Sequence, residues 1–308
     1  MSKIATRAAY GAALARLIKE NPQVVVLDAD LTKSTNTNKA AEVCPERHFN
    51  MGIAEANMMS VAAGLAASDK IVFASSFAMF AAGRAFEQVR NSICYPNLNV
   101  KICATHAGLM VGEDGASHQA IEDIALMRAI PNMVVIQPAD AVETEAVISY
   151  VAKYKGPVYV RLGRAAVETI YSDNYQFEFG KGSILNQGSK VAILATGVMV
   201  QEALQAVERL KGEGINPTLV NIHTIKPIDI DLIVELAKSH DFIVTCEEHT
   251  VMGGLGSAVS EVLATKYPKK LVMVGINDSF GESGKAELLL KKHGLDAESI
   301  VETIKNHL

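Results

Sequence analysis

Short, nearly uninterrupted apolar runs rich in β-branched residues recur along this chain, each followed by a longer Ala- and Leu-rich stretch. Residues 24–27, 71–74, 100–104, 134–137 and 158–161 form the first set. A strand that is apolar on both faces must be covered on both faces, as in a parallel sheet flanked by helices. The intervening stretches 5–18, 54–67, 82–92, 121–127 and 141–154 carry helical patterns, and Pro138-Ala139-Asp140 makes a helix start for the last. Composition turns polar and aromatic over 171–179, and Gly180, Gly182 and Gly188 follow. A second alternation then begins. Its strands fall at 191–194, 218–222, 242–246 and 271–274, its helices at 199–211, 229–239 and 256–267, and two more helices at 285–293 and 297–306 close the chain. The double alternation predicts an α/β protein of two three-layer α/β domains with mainly parallel sheets. We expect a first domain over 1–170, a linker over 171–188 and a second domain over 189–308. The 308 residues agree with two domains at roughly 150 each.

Charge excludes some partners. The 29 Lys and Arg against 34 Asp and Glu leave a net charge of −5, with no long basic run. Neither nucleic acid nor an anionic membrane surface suits such a chain. Cys44, Cys94, Cys103 and Cys246 form no C-x-x-C pair and have no flanking His cluster, which disfavours structural zinc and a disulfide framework. The first seven residues lack the apolar core of a signal peptide. The apolar stretches 58–67 and 71–80 are shorter than the ~18 residues of a membrane span. A cytoplasmic location is expected. Trp is absent, so the core must be aliphatic and Ala-rich.

Ligands of open α/β sheets bind beyond the carboxyl ends of the strands. Attention therefore falls on the segments after each run. Glu55 stands in an almost uncharged stretch, Ile53-Ala54-Glu55-Ala56-Asn57. It is either a helix N-terminal carboxylate favoured by the dipole, or a buried acid whose pKa is raised and which can hold a proton for a ligand nitrogen. Phe77 and Phe80 follow Ser75-Ser76 at a strand end, where they either pack the core or stack on a flat ring. The loop 105–119 carries His106, Glu113, Asp114 and His118 among Gly108, Gly112 and Gly115. A loop this long after a buried strand is usually functional. Its spacings match no common metal-ligand pattern and suit hydrogen bonding to a polyhydroxylated substrate and proton transfer; a plain polar surface loop is the alternative. Arg7, Arg161 and Arg164 are shaped for bidentate phosphate binding or for ion pairing. Gly253-Gly254-Leu255-Gly256 is not a full nucleotide-binding fingerprint and reads as structural.

Together these segments resemble the transketolase family: Ala5-Thr6-Arg7, Asp30-Leu31-Thr32-x-Ser34, Gly52-Ile53-Ala54-Glu55, Ser76-Phe77-x-x-Phe80, Thr105-His106-x-Gly108 through Gly112-Glu113-Asp114-Gly115-x-Ser117-His118-Gln119, and Gln137-Pro138-Ala139-Asp140. The resemblance runs through the chain and is most specific over 105–119. It implies thiamine diphosphate as cofactor, a divalent cation such as Mg2+, and transfer of a two-carbon ketol unit between sugar phosphates. By resemblance, Glu55 contacts nitrogen N1′ of the aminopyrimidine and favours the tautomer that activates the thiazolium carbon. Phe77 and Phe80 wall that ring, and Asp30 joins the cofactor-binding residues. His106 and His118 are the catalytic histidines that hydrogen-bond the substrate's reacting hydroxyls, and Asp114 reads a substrate hydroxyl. Arg7, Ser34 and Arg164 bind the phosphate; Arg161 has no counterpart. Where the family has a Tyr, this chain has Gly83, which puts that part of the aromatic wall in doubt.

The family's Gly-Asp-Gly motif, which holds the diphosphate and metal in a separate N-terminal domain, does not occur in this sequence. No metal ligand is expected on this chain. The resemblance thus implies the C-terminal subunit of a split transketolase, partnered by an N-terminal subunit in an assembly of two of each. The β subunit of a 2-oxo-acid dehydrogenase, a 1-deoxyxylulose-5-phosphate synthase and a non-catalytic oligomerisation module are the rival readings. His106 and the acidic loop favour transketolase over the first two, and the joint presence of Glu55, His106 and His118 disfavours the last.

Overall fold

The computed structural model describes residues 3–172 and 174–308. Met1, Ser2 and Asp173, the last inside the expected linker, lie outside the described residues. The strands are β1 (Lys3–Ala5), β2 (Val24–Asp28), β3 (His48–Asn50), β4 (Ile71–Phe77), β5 (Val100–Thr105), β6 (Val134–Ile136), β7 (Val158–Arg161), β8 (Ala166–Glu168), β9 (Ser183–Asn186), β10 (Lys190–Ala195), β11 (Thr218–Asn221), β12 (Thr224–Lys226), β13 (His240–Thr250) and β14 (Leu271–Ile276).

Two large sheets result. The first runs β12-β6-β7-β5-β4-β2-β3 and the second β14-β13-β10-β11-β9. Within these two sheets all pairs are parallel except β12 on β6 and β9 on β11, and β1 and β8 form a separate antiparallel pair. Alternating residues of one strand serve opposite layers. Val25 and Leu27 pack with Met58, Met59 and Ala62 of the helix Glu55–Ala67, while Val24 and Val26 pack with Tyr10, Leu14 and Ile18 of the helix Thr6–Glu20. The second sheet is covered in the same way, by the helix Met199–Gly212 on one face and by Ile230–Ser239 and Leu255–Lys266 on the other. The chain is α/β with mostly parallel sheets and helices on both faces. Near-continuous apolar strands announced this arrangement because both faces are buried.

Three local features depart from the expectation. Within the stretch read as linker, β9 forms an edge strand of the second sheet. Residues 224–226, to which no element was assigned, leave the second half and pair with β6 of the first sheet, so the two halves share a sheet. The helix expected over 82–92 is instead a relay of wide turns, Met79–Arg84 and Val89–Cys94, around the short Phe86–Gln88. The Ala85 amide reaches back to Phe80 O and Tyr95 to Arg90 O, the five-residue spacing of π turns, which often mark functional positions.

Candidate active site

The site lies where the carboxyl ends of β2, β4 and β5 meet their following loops. Strand β4 ends on Phe77, and β5 runs into His106. The rings of Phe77 and His106 stack with centroids 3.8 Å apart. Phe80 stacks on Phe77 at 5.9 Å, and His118 meets Phe80 edge-on at 5.4 Å. Four of the expected site residues therefore form one aromatic cluster. A Cβ at Gly83 would meet only Met79 Cε, at 3.7 Å.

Glu55 opens its helix, where the dipole favours an acid. It is 1% exposed, and Arg84 Nη1 donates to its Oε2 at 2.8 Å. The same guanidinium carbon sits 4.5 Å from the centroid of Phe80, a cation–π contact. Arg84 was not singled out in the sequence. It is the last residue of the wide turn Met79–Arg84. Ser76 Oγ, one residue from Phe77, is buried without a hydrogen-bond partner.

Two cations stand beside the cluster. Arg7 Nη1 donates to the backbone oxygen of Ser34 at 2.6 Å, and Arg7 Nε to that of Arg164 at 3.4 Å. The main chain of Ser34, not its hydroxyl, makes this contact. Burial and then the nearby Arg164 lower the Arg7 pKa. Arg164 donates to Val111 O and faces Glu113 at 3.7 Å and Asp114 at 3.9 Å. His106, buried and close to this positive charge, is lowered to about 3 by burial first and then by Arg7, Arg164 and His118. The imidazole is therefore neutral, and the local field favours an anion.

Asp30 is exposed, and its Oδ1 accepts from Asn50 Nδ2 at 3.1 Å. The organising acid of that loop is Asp28, fully buried, which accepts from Leu31 N at 2.6 Å, Thr35 Oγ1 at 2.6 Å and Thr37 Oγ1 at 3.0 Å and so shapes the turn bearing Ser34. The Thr residues spaced behind Asp28 were the available signal. Of the two readings of Arg161, the structure shows the ion pair. Its Nε donates to Asp123 Oδ1 at 3.1 Å and Oδ2 at 2.9 Å, and Tyr159 donates to the same carboxylate at 2.7 Å. The histidines of the loop 105–119 pack against aromatic rings, and its acids face Arg164.

Comparison with known proteins accords with this geometry. A model of the transketolase pyrimidine-binding domain matches residues 2–169, and one of the transketolase C-terminal domain matches residues 180–300. The chain is 56% identical over 98% of its length to a Methanocaldococcus jannaschii protein provisionally named transketolase C-terminal section, covering 96% of that protein. It is 37% identical to rat transketolase over 98% of its length but spans only 49% of that protein. A solved structure described as a split-gene transketolase in an inactive β4 tetramer superposes with a TM-score of 0.92 at 56% identity, with 98% of each chain covered. The buried acid, the aromatic cluster, the two domain matches and these identities agree, and the chain belongs to the transketolase family, whose pyrimidine-binding and C-terminal domains it contains.

Proposed function

We propose that this chain is the C-terminal subunit of a two-subunit transketolase. It acts with an N-terminal subunit to move a two-carbon ketol unit between ketose and aldose phosphates. One observation carries the reading: the flat guanidinium of Arg84 touches the Phe80 ring and the Glu55 carboxylate at once. Those are the two contacts an aminopyrimidine needs, a ring to stack on and an acid at its nitrogen. The residues present therefore fit that part of thiamine diphosphate. Bound, the cofactor supplies the carbon nucleophile and the electron sink.

The chain's own residues do the rest. Glu55 holds a proton at the aminopyrimidine nitrogen. Phe77 and Phe80 orient the ring and keep water from it. His106 and His118 hydrogen-bond the reacting hydroxyls of the sugar, His106 as a neutral imidazole. Asp114 reads a further hydroxyl. Arg7, Arg164 and the Ser34 turn hold the terminal phosphate, which relieves the repulsion between the two cations. The diphosphate and a divalent cation such as Mg2+ are held by the partner, through a Gly-Asp-Gly motif this sequence lacks. The spans of 98% of a split-gene chain and 49% of rat transketolase support this division, and an assembly of two of each subunit is part of the proposal.

A second substrate reading comes from 41% identity to the 6-deoxy-6-sulfo-D-fructose transketolase subunit of a Clostridium species. The same arginine pair would serve a sulfonate. The test mixes the chain with its N-terminal partner, thiamine diphosphate and Mg2+, and offers xylulose 5-phosphate or the sulfonated ketose with ribose 5-phosphate. Transfer in the mixture and none from either chain alone is expected. Full transfer by this chain alone, or condensation of pyruvate in place of ketol transfer, would overturn the proposal.

A further inference from the structure

The second half reaches into the first through β13. The end of this strand, Glu247 to Thr250, is buried, and Thr250 N donates to Ile121 O at 2.8 Å across the boundary. Three consecutive side chains there have separate tasks. Glu247 accepts from Leu255 N at 2.6 Å and Gly256 N at 2.8 Å, which caps a helix of its own half. His249 Nδ1 donates to Thr250 O at 2.6 Å, so Nε2 is free to accept from Ala125 N at 3.3 Å in the first half. Glu248 reaches the loop that carries both site histidines: Met110 N donates to its Oε1 at 2.5 Å.

Gly108 shows how close this approach is. A side chain there would overlap the Glu248 carboxyl, and the residue's φ of +81° also favours glycine. The Gly108 amide donates to Ala120 O at 2.8 Å, closing the neck of the loop two residues after His106. Arg161 Nη2 donates both to that Ala120 oxygen at 3.0 Å and to the backbone oxygen of Glu248 at 3.1 Å. The far end of the loop is held from the same half, where Ser283 Oγ donates to Glu113 O at 2.6 Å and Gln119 Nε2 to Glu282 O at 2.9 Å.

We infer that Glu248 is a positioning residue: through it the C-terminal half fixes the turn Gly108–Met110 and thereby the placement of His106 against Phe77. The kinetic arm of its test rests on the role proposed above for His106. His106 sits in left-handed backbone, with φ +56°, a conformation that the surrounding turn must hold in place, and its ring is fixed only by the Thr105 hydroxyl at 2.9 Å and the Phe77 stack.

The test compares Glu248→Met with Glu248→Gln in the complex with the N-terminal subunit. Gln keeps an acceptor for the Met110 amide, whereas Met fills the space without one. Glu247→Met, equally buried but bonded only within its own half, is the control for lost stability. Per folded protein, Glu248→Met is expected to lose about tenfold or more in kcat, in line with the cost of small displacements of catalytic groups. Glu248→Gln should recover most of it, and Glu247→Met should keep kcat while unfolding more easily. Amide exchange of the segment 108–112 in the isolated chain should quicken in Glu248→Met alone. That readout needs no turnover, so it stands even if the wild-type complex shows no ketol transfer. Unchanged kcat and exchange in Glu248→Met, or equal losses in the Glu247 and Glu248 variants, would overturn the inference.

Discussion

The ring of Phe77 lies on the ring of His106, centroids 3.8 Å apart and planes 23° from parallel. One comes from the end of β4 and the other follows β5, neighbours that run parallel in the first sheet. The stack helps to bury the histidine, and Arg7 and Arg164 are near enough to act on its charge. Its protonation follows from that position.

Charge on His106 is opposed by burial and by three nearby groups, which bring its pKa to about 3 against an ordinary 6.5. The folded state thus takes up the proton later than the unfolded chain. The stability this contributes is present above pH 6.5 and is lost as pH falls toward 3. An NMR titration should show the His106 ring protons unmoved between pH 5 and 8. A midpoint near 6.5 would mean that the ring is solvated in solution.

Glu55→Gln keeps the shape of the side chain and one donor-acceptor pair, but it cannot hold the acid proton. In the reconstituted complex kcat should fall by about a hundredfold or more. Thiamine diphosphate binding, measured by calorimetry, should weaken far less. Undiminished turnover would remove Glu55 from proton handling.

Arg7→Gln and Arg164→Gln should each raise KM for a phosphorylated donor by about tenfold, the loss of one charge-assisted hydrogen bond. An unphosphorylated ketose should be used equally by the variants and the parent. Equal effects on both donors would place the arginines in loop folding rather than in anion binding.

Asp123→Asn leaves the buried Arg161 guanidinium without its counter-charge. Both side chains are essentially inaccessible, at 0% and 1%. Breaking one partner of such a pair costs about 3–5 kcal/mol. Urea unfolding should register a loss of that order, and a change under 1 kcal/mol would show that the pair is solvated.

The candidate site was legible to different depths. His106 and His118 stood out because a glycine-rich loop with two acids follows a buried strand, and loops of that length seldom persist without a task. Phe77 and Phe80 read first as core, and the fold brings both against the histidines. Arg161 looked like Arg164 in sequence, three residues away. Its side chain faces inward to Asp123, while Arg164 turns to the loop. Asp30 and Asp28 were likewise two residues apart, and burial falls on Asp28. Sequence distance explains the rest. Glu248 meets Met110 across 138 residues, and no local pattern encodes such a pair.

From its sequence alone the chain determines its layers. Apolar runs buried on two faces require parallel sheets between helices, and that rule is local enough to read by eye. Tertiary structure alone decided which charges are paired and which remain for a ligand, and that β12 and the end of β13 cross into the first half. The reason is physical. Hydrophobic pattern is a property of neighbouring residues, whereas the state of a carboxylate or guanidinium depends on the dielectric and partners around it, which exist only once distant strands have met.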